Sequence, residues 1–440
     1  MRRLILFSIL TVLPMFALAQ RAPWSASEFD SYVERVIKRF QVPGVCVAVV
    51  KDGKVVLAKG YGVRELGKPA KVDSKTLFGI ASNTKAFTAT ALALLVEEGK
   101  IKWDGRVIDY LPWFQLSDPF VTRELTIRDL LVHRSGLGLG AGDLLWWPPS
   151  TYDRKEIARR LRYIPLATSF RSAYAYDNVL YTVAGEVIET ISGMTWEDFV
   201  QKRILDVVGM TTSNVRHSDA VNGGNIATTH AEIDGKVRVV NPFASDNTNP
   251  AGGINSNADD MAKWMIVQMD SGRISAEKRL FSPRTTRELW QIVAPIGIGT
   301  PAPELAPLRA NFNGYALGFG IRDYRGYKLV SHTGGLPGFV SQVMMIPELK
   351  VGVCILTNQE SGAAFNSISL YVLDRYLKAT HDWLGAFSTL VARGDSLMKV
   401  REGSITVSRD ANSKPSLSPE DGDPIHKDPC PGRRSGTLAV

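Results

Sequence analysis

The stretch "GIASNTKAFTATALALLVEEGK", residues 79–100, most limits what this chain can fold into. Its Ala- and Leu-rich composition predicts a long apolar helix. The helix starts near Ser82 and carries Lys85 one turn later. A cation in the first turn is mildly destabilising, because it lies at the positive end of the helix dipole. The usual partner of a capping serine is Glu or Gln. The unfavourable position of Lys85 therefore indicates that this residue has a chemical role.

Ser82 and Lys85 are three residues apart, so a helix places them on the same face. A lysine buried there loses hydration, becomes easier to deprotonate and can accept the proton of the serine hydroxyl. The same Ser-x-x-Lys spacing occurs at residues 275–278 and 396–399, in polar stretches. We interpret those two matches as accidental. The alternative is that Ser82 is an ordinary N-cap and that Lys85 extends to solvent.

Residues 1–19 have a basic start, a long apolar run and small residues before Gln20. This pattern predicts a signal peptide cut after Ala19 and a periplasmic or secreted protein. No later apolar run approaches the roughly 20 residues that a membrane span requires, so we expect no membrane span after cleavage. Residues 409–440 are rich in Pro, Asp, Ser and Gly, and predict a disordered tail. Residues 381–408 are interpreted as a linker.

The net charge of +8 on 440 residues is modest and scattered. It does not form the basic stripe of a nucleic-acid-binding protein, so we expect no nucleic-acid partner. The three cysteines, Cys46, Cys354 and Cys430, are too few for a disulfide framework. Cys46 and Cys354 lie in apolar runs and are predicted to be buried free thiols. A bridge between these two is the alternative in an exported protein.

The order of elements predicts an α+β fold. A helix capped by Ser25 or Ser27 precedes a hairpin over residues 44–62, whose turn is Asp52-Gly53. After a mainly helical region, strands return from residue 315, and a final helix follows. We therefore expect residues 20–380 to form an antiparallel sheet flanked by helices, with a helical lobe inserted at about 100–310. A cleft between the two parts is the expected place for a site.

Two further stretches carry polar residues of interest, "YAYDNVLYTVAGEVIE" and "LVSHTGGLPGF". Together with Ser82-x-x-Lys85, and in this chain order, they resemble the serine β-lactamase and penicillin-recognising DD-peptidase superfamily. That family is marked by Ser-x-x-Lys, Tyr-x-Asn and Lys/His-Thr-Gly. The resemblance is nearest to its class C-like branch, which includes carboxylesterases and D-amino-acid amidases. It also runs through "LTIRDLLVHRSGL" and "NPAGGINSNADDMAKWM", and covers roughly residues 25–380.

The resemblance implies that Ser82 attacks a carbonyl group and forms an acyl-enzyme, which water then releases. It implies that Lys85 and Tyr176 share the general-base and general-acid roles, and that Asn178 binds either the substrate's amide or Lys85. The oxyanion hole would be the backbone N–H groups of Ser82 and Gly335. Tyr174 replaces Tyr176 if the alignment slips by two residues.

His332, Thr333 and Gly334 complete the implied substrate-binding set, and glycine lets the strand backbone approach closely. His332 stands where β-lactamases usually carry Lys. Histidine is mostly neutral near pH 7, so we expect a weaker pull on a substrate carboxylate. The middle residue of Tyr-x-Asn is often Ser in the family, whereas here it is Asp177. We expect Asp177 to face solvent, and the alternative is that it offsets a nearby positive charge.

These features predict an exported serine hydrolase that acts on short-chain esters or D-amino-acid peptides and amides, with weak β-lactam hydrolysis. The alternatives are a class C-like β-lactamase and a penicillin-binding sensor or scaffold without turnover. We expect no cofactor, and the histidine spacing predicts no metal site. The glycine-rich residues 136–142 are interpreted as a loop. Trp146 and Trp147 either line an acyl pocket or hold this loop to the helical lobe.

Overall fold

The structure is a computed structural model that describes residues 22–221, 224–243 and 245–408. The predicted signal peptide, Cys430 and the predicted tail at 409–440 lie outside these ranges. The strands, in chain order, are β1 (Gly44–Lys51), β2 (Lys54–Gly62), β3 (Phe78–Gly79), β4 (His230–Ile233), β5 (Lys236–Val239), β6 (Asn255–Ser256), β7 (Ala294–Pro295), β8 (Asn313–Tyr315), β9 (Gly320–Tyr324), β10 (Tyr327–Leu336), β11 (Phe339–Ile346) and β12 (Val351–Thr357).

Eight of these strands form one antiparallel sheet, in the order β2-β1-β12-β11-β10-β9-β8-β7. The chain enters the sheet at β1 and β2, leaves it, and returns at β7 to β12. The early and late parts of the sequence therefore pair directly, with Ala48 opposite Cys354. This confirms the predicted antiparallel sheet. Two small two-stranded sheets, β3-β6 and β4-β5, lie outside it.

Strand β1 is apolar along its length because both of its faces are buried. Val45, Val47 and Val49 belong to one core cluster, whereas Cys46 and Ala48 belong to another on the opposite face. Successive side chains of a strand point to opposite faces, so a strand covered on both sides reads as a continuous apolar run. Cys46 and Cys354 are buried free thiols, as predicted.

The helices include those predicted after Ser25, after Ser82 and after the last strand. They are α1 (Ala26–Arg39), α2 (Thr84–Glu97), α3 (Val107–Tyr110), α4 (Pro119–Glu124), α5 (Arg154–Arg160), α6 (Val179–Ser192), α7 (Trp196–Val200), α8 (Asp206–Val208), α9 (Asn249–Gly252), α10 (Ala258–Met269), α11 (Pro283–Leu289), α12 (Gly362–Tyr376) and α13 (Trp383–Ser408). Within the described ranges, none of them is long and apolar enough to cross a membrane.

Local sequence signals explain where α1 begins and how β1 turns into β2. Ser25 caps α1 and forms a reciprocal capping box with Glu28, so Ser25 rather than Ser27 is the cap. The turn between β1 and β2 has positive φ at both Asp52 (49°) and Gly53 (73°). Those are the dihedral angles of a two-residue hairpin turn, which Asp-Gly favours.

Helices cover both faces of the sheet. α1 and α12 pack on one face, and α10 packs on the other, across β1, β2 and β12. Helix α2 lies beyond this layer, between α6, α7, α9 and α11. Its Phe87 stacks on Trp264 of α10, with ring centroids 3.9 Å apart. A helix surrounded in this way has no solvent face, which explains its apolar composition.

Two boundaries differ from the sequence interpretation. The sheet resumes at Ala294, before the predicted end of the helical lobe near 310, because β7 and β8 are too short to show an alternating pattern. The segment interpreted as a linker, 381–408, contains helix α13. Trp383 and Phe387 on its first turns are buried against the sheet domain. The start of this segment is therefore part of the domain.

Asp374 on α12 holds helix α13 against the sheet domain. Its carboxylate accepts hydrogen bonds from the Tyr324 hydroxyl (2.5 Å) and the Trp383 indole (2.9 Å), and a bidentate pair from Arg325 (2.7 and 2.8 Å). The Asp374 side chain is buried, with 3% exposure. One acid thus connects β9, the following turn, α12 and α13.

We expect Asp374→Ala to lower the free energy of unfolding by about 3 kcal/mol, because it leaves an arginine and two buried donors without their acceptor. Urea denaturation followed by circular dichroism measures this change. The control is Asp270→Ala, which removes an exposed ion pair to Arg273 at 3.3 Å and should cost less than about 1 kcal/mol. Equal losses of unfolding free energy in the two variants would contradict the role of Asp374 in holding α13.

Candidate active site

Ser82 lies in a 3-10 turn, Ala81–Asn83, directly before α2. Two hydrogen bonds hold this turn to strand β11: Asn83 Nδ2 donates to Ser341 Oγ (2.8 Å), and Ser341 Oγ donates to the Ile80 carbonyl (2.7 Å). Ser82 itself is partly exposed. The turn therefore presents a hydroxyl to solvent from a fixed backbone.

Strand β10 passes directly beside this turn. A Cβ atom at Gly334 would lie 2.2 Å from the Ile80 carbonyl oxygen, so only glycine allows the approach. A Cβ atom at Gly335 would meet no described atom within 4 Å, so this position faces open space. Thr333 is exposed as well. The structure thus brings the predicted His-Thr-Gly-Gly stretch against the turn that carries Ser82.

Lys85 is completely buried, with 0% exposure. Its Nζ lies 2.9 Å from each of three acceptors, which are Ser82 Oγ, Asn178 Oδ1 and the Ala251 carbonyl oxygen. The alternative in which Lys85 extends to solvent is therefore wrong. Asn178, for which two roles were open, uses its side-chain oxygen to hold Lys85.

Burial lowers the pKa of Lys85 to about 7, so an appreciable fraction is neutral near neutral pH. Two of its three neighbours, Asn178 Oδ1 and the Ala251 carbonyl, can only accept hydrogen bonds. A neutral amine keeps its two N–H groups on these acceptors, and its lone pair then points at Ser82 Oγ. The site can therefore take the proton from the Ser82 hydroxyl without rearranging.

Tyr176 approaches Ser82 from the other side, with its hydroxyl 2.8 Å from Ser82 Oγ. Tyr176 and not Tyr174 is therefore the tyrosine that reaches the serine. Burial raises the pKa of Tyr176 well above its ordinary value, so the side chain stays a phenol and donates its proton. Lys85 and Tyr176 offer Ser82 a base and an acid respectively.

His332 on β10 uses both of its ring nitrogens within the protein. Nδ1 lies 2.5 Å from the Thr333 carbonyl, which can only accept, so this nitrogen carries the proton. Nε2 therefore accepts from the buried Tyr315 hydroxyl, at 2.7 Å. Desolvation and the nearby Lys85 charge lower the pKa of His332 to about 3. His332 is thus a neutral residue with no free donor.

Asp177 is buried, with 1% exposure, so the expectation that it faces solvent is wrong. Its Oδ1 accepts from the Leu180 backbone N–H at the start of α6 (3.1 Å). Its negative charge raises the pKa of Lys85 and so opposes the effect of burial on that amine. Asp177 therefore supplies a countercharge close to Lys85.

His133 belongs to the site, although no sequence pattern assigned it a role. Its ring packs 4.2 Å from the Tyr176 ring and 4.5 Å from the Tyr315 ring, centroid to centroid. Its Nδ1 accepts from the Asp177 backbone N–H (3.1 Å). Nε2 therefore carries the proton, and it has no hydrogen-bond partner among the described residues. The only sequence signal was its place in "LTIRDLLVHRSGL".

The glycine-rich residues 136–142 form a loop, as interpreted. Trp146, which follows it, packs edge-on against Phe243 with ring centroids 5.7 Å apart, whereas Trp147 is 38% exposed. Trp146 thus holds the loop to the segment around residue 243. The other two Ser-x-x-Lys matches, at 275–278 and 396–399, present exposed serines, in keeping with accidental matches.

Comparisons with known proteins find a matching family model and related chains. The Beta-lactamase family model matches residues 29–376. The unguisins hydrolase ungD of Aspergillus violaceofuscus is 30% identical over 392 residues, which covers 84% of this chain and 68% of that protein. The chain spans about two thirds of the length of the curated relatives it matches.

Solved structures show the same fold. The octameric penicillin-binding protein homologue from Pyrococcus abyssi is 26% identical, with a TM-score of 0.69 over 81% of this chain and 78% of that one. The D-amino acid amidase from Ochrobactrum anthropi SV3, complexed with L-phenylalanine amide, has a TM-score of 0.62 at 21% identity, over 80% and 98% of the two chains. At 21% identity, the similarity to this amidase shows a shared fold only.

We expect Asp177→Asn to move the pH dependence of Ser82 reactivity to lower pH. Labelling of Ser82 needs neutral Lys85, so its rate rises as the pH rises through the pKa of Lys85, about 7. Asparagine keeps an acceptor for the Leu180 N–H and removes the charge that raises this pKa. The rate of labelling by a fluorophosphonate probe, measured between pH 5 and 9, reports the shift. Asp270→Asn, at an exposed site, should leave the profile in place, and an unchanged Asp177→Asn profile would disprove the countercharge.

Proposed function

Because the chain belongs to the Beta-lactamase family, we propose that it hydrolyses esters or amides through an acyl-enzyme formed on Ser82. One observation carries this proposal. Ser82 Oγ lies 2.9 Å from a buried amine and 2.8 Å from a partly buried phenol, while remaining partly exposed. A nucleophile held between a base and an acid, and open to solvent, is the arrangement that acyl transfer requires.

In the acylation step, neutral Lys85 takes the proton of the Ser82 hydroxyl as Oγ forms its bond to the substrate carbonyl carbon. Tyr176 then gives a proton to the leaving group as the ester or amide bond breaks. The proton gained by Lys85 restores Tyr176 over the cycle, so the protein ends in its starting protonation state. Water then attacks the acyl carbonyl carbon as the bond to Ser82 Oγ breaks, so that its hydroxyl becomes part of the released acid and its other proton returns to Ser82 Oγ.

The negative charge that develops on the carbonyl oxygen needs donors placed in advance. The proposed oxyanion hole consists of the backbone N–H groups of Ser82 and Gly335. It is supported by the close approach of Gly334 to Ile80 and by the open space at Gly335. Each such donor is worth roughly 3 kcal/mol in the transition state.

His332 argues for substrates without a free carboxylate beside the scissile bond. Both of its nitrogens are engaged, and it is neutral across the physiological pH range. A lysine at this position would offer a fixed cation, which histidine does not. The proposed substrates are therefore short-chain esters and D-amino-acid peptides or amides, with weak β-lactam hydrolysis. A small-molecule ester, amide or peptide is thus the proposed partner, and no cofactor takes part.

The two alternatives make different demands on the same site. A class C-like β-lactamase must bind a carboxylate, which a neutral His332 disfavours. A penicillin-binding sensor would acylate Ser82 and release the acyl group very slowly.

We also place the proposed activity outside the cytoplasm, on the basis of residues 1–19. N-terminal sequencing of exported protein that begins at Gln20 would test this location.

We expect Ser82→Ala to abolish hydrolysis of p-nitrophenyl butyrate, with a loss of at least about a thousandfold in kcat/KM. The matched control is Ser275→Ala, which alters an exposed Ser-x-x-Lys and should keep full activity. Nitrocefin and a D-Ala-D-Ala peptide, assayed in parallel, separate the alternatives. Fast nitrocefin turnover alone would favour the β-lactamase. A stoichiometric burst without turnover on all three substrates would favour the sensor.

We expect the wild type to cleave a C-terminally amidated D-Ala-D-Ala peptide about tenfold or more faster than the free acid, since no cation neutralises the carboxylate. His332→Lys should reduce this ratio of kcat/KM values, and neutral His332→Gln should not. Because the ratio compares two substrates on one protein, loss of folded enzyme does not affect it. A wild-type preference for the free acid would refute the assignment of His332.

A further inference from the structure

Helix α9, which supplies the Ala251 carbonyl to Lys85, is too short to keep its own shape. It has only four residues, Asn249–Gly252, and a helix of one turn is unstable in isolation. The Ala251 carbonyl oxygen nevertheless lies 2.9 Å from the buried Lys85 Nζ. The elements packed around α9 must therefore set the position of this carbonyl.

Glu197 on α7 holds the first residue of α9. Its Oε1 accepts a hydrogen bond from Asn249 Nδ2 at 2.8 Å, and Asn249 is completely buried. The other polar atom of that amide, Oδ1, has no hydrogen-bond partner among the described residues. It lies against Gly253, where a Cβ atom would approach it to 2.3 Å. The Asn249 side chain is therefore held by its hydrogen bond to Glu197.

Arg154 on α5 fixes the Glu197 carboxylate in turn. The oxygen that accepts from Asn249, Oε1, also accepts from Arg154 Nη2 at 2.5 Å. The two charged side chains are buried, with 11% and 8% exposure for Arg154 and Glu197. Charge-assisted hydrogen bonds of this kind are stronger than those between neutral groups. Glu197 Oε1 therefore has a fixed position from which it holds Asn249.

Trp196, the residue before Glu197, supports α9 by a second route. Its indole Nε1 donates to Thr88 Oγ1 at 3.0 Å, and Thr88 Oγ1 donates to the Pro250 carbonyl at 2.7 Å. Helix α6 packs closely on the same residue, since a Cβ atom at Gly185 would lie 2.5 Å from Pro250 Cγ. Two neighbouring residues of α7 thus hold the two residues of α9 that come before the carbonyl.

We propose that Glu197 and Asn249 are positioning residues for the catalytic base. They hold α9 so that the Ala251 carbonyl stays within hydrogen-bond distance of Lys85. This inference rests on the proposed function, in which Lys85 is the base, and assigns part of its control to α7, outside the three motifs. A carbonyl oxygen accepts more strongly from an ammonium than from a neutral amine. Displacing the carbonyl should therefore favour the neutral form of Lys85.

Several charged and titratable groups lie around this network, and a useful test leaves them unchanged. Those around the Lys85 amine are Asp143, Asp177, His133, His332, Tyr176 and Tyr181. Those that face Arg154 are Glu186 and Glu189 on α6 and Glu197 on α7. Replacing Asn249 by alanine alters none of these charges. A changed pH dependence in that variant therefore reports the position of the carbonyl.

We expect Asn249→Ala to lower the midpoint pH of Ser82 labelling by about one pH unit, because the ammonium form of Lys85 loses an acceptor. The labelling rate with a fluorophosphonate probe, measured between pH 5 and 9, gives this midpoint. The matched control is Asn358→Ala, at an equally buried asparagine that accepts from the Gly44 N–H (2.7 Å) in the sheet. This control should keep the wild-type midpoint. Only folded protein reacts, so a lower yield of folded protein does not prevent the measurement.

Glu197→Gln and Glu197→Ala separate position from charge. Glutamine has one oxygen that can accept from both Asn249 and Arg154, as Glu197 Oε1 does, so its midpoint should stay close to wild type. Glu197→Ala should lower the midpoint as Asn249→Ala does. Equal shifts in the glutamine and alanine variants, or an unchanged midpoint in either alanine variant, would overturn the positioning role and leave the proposed function standing. Absence of Ser82-dependent labelling in the wild type would instead refute the proposed function.

Discussion

The complete burial of the Lys85 amine is the constraint on which the rest of the site depends. An ammonium group is costly to remove from water, and three acceptors at 2.9 Å offset that cost. The same burial lowers its pKa to about 7 and makes it useful as a base. Because Lys85 lies one turn after Ser82, its position fixes the nucleophile as well. The environment of this one side chain therefore affects both the stability of the site and its chemistry.

Each acceptor of Lys85 comes from a different part of the chain, which explains why both parts of the fold are needed. Ser82 precedes α2, Asn178 precedes α6, and the Ala251 carbonyl belongs to α9. Strand β10 closes the site from the sheet, where Gly334 approaches Ile80. The site therefore lies where the sheet meets the helical insertion, and neither part could form it alone.

The charged and titratable groups around Lys85 affect one another, so the effect of each group depends on its neighbours. Asp177 raises the pKa of Lys85 while burial lowers it, and His332 is kept neutral by desolvation and by the Lys85 charge. His133 fills the space between the Tyr176 and Tyr315 rings and receives the Asp177 backbone N–H. A substitution at any of these residues would alter the balance at Lys85 or the position of Tyr176, even though none of the three contacts Ser82.

The sequence by itself determined what depends on local spacing: the cap at Ser25, the Asp52-Gly53 turn, the buried strands, and the adjacency of Ser82 and Lys85. The order of the three motifs also indicated the family. Tertiary structure decided what depends on packing between distant segments. Asp177 is buried, and His133 and Tyr315 belong to the site, because α6, β8 and β10 converge there. Burial and pKa are set by neighbours that lie far apart in the chain, so no local pattern records them.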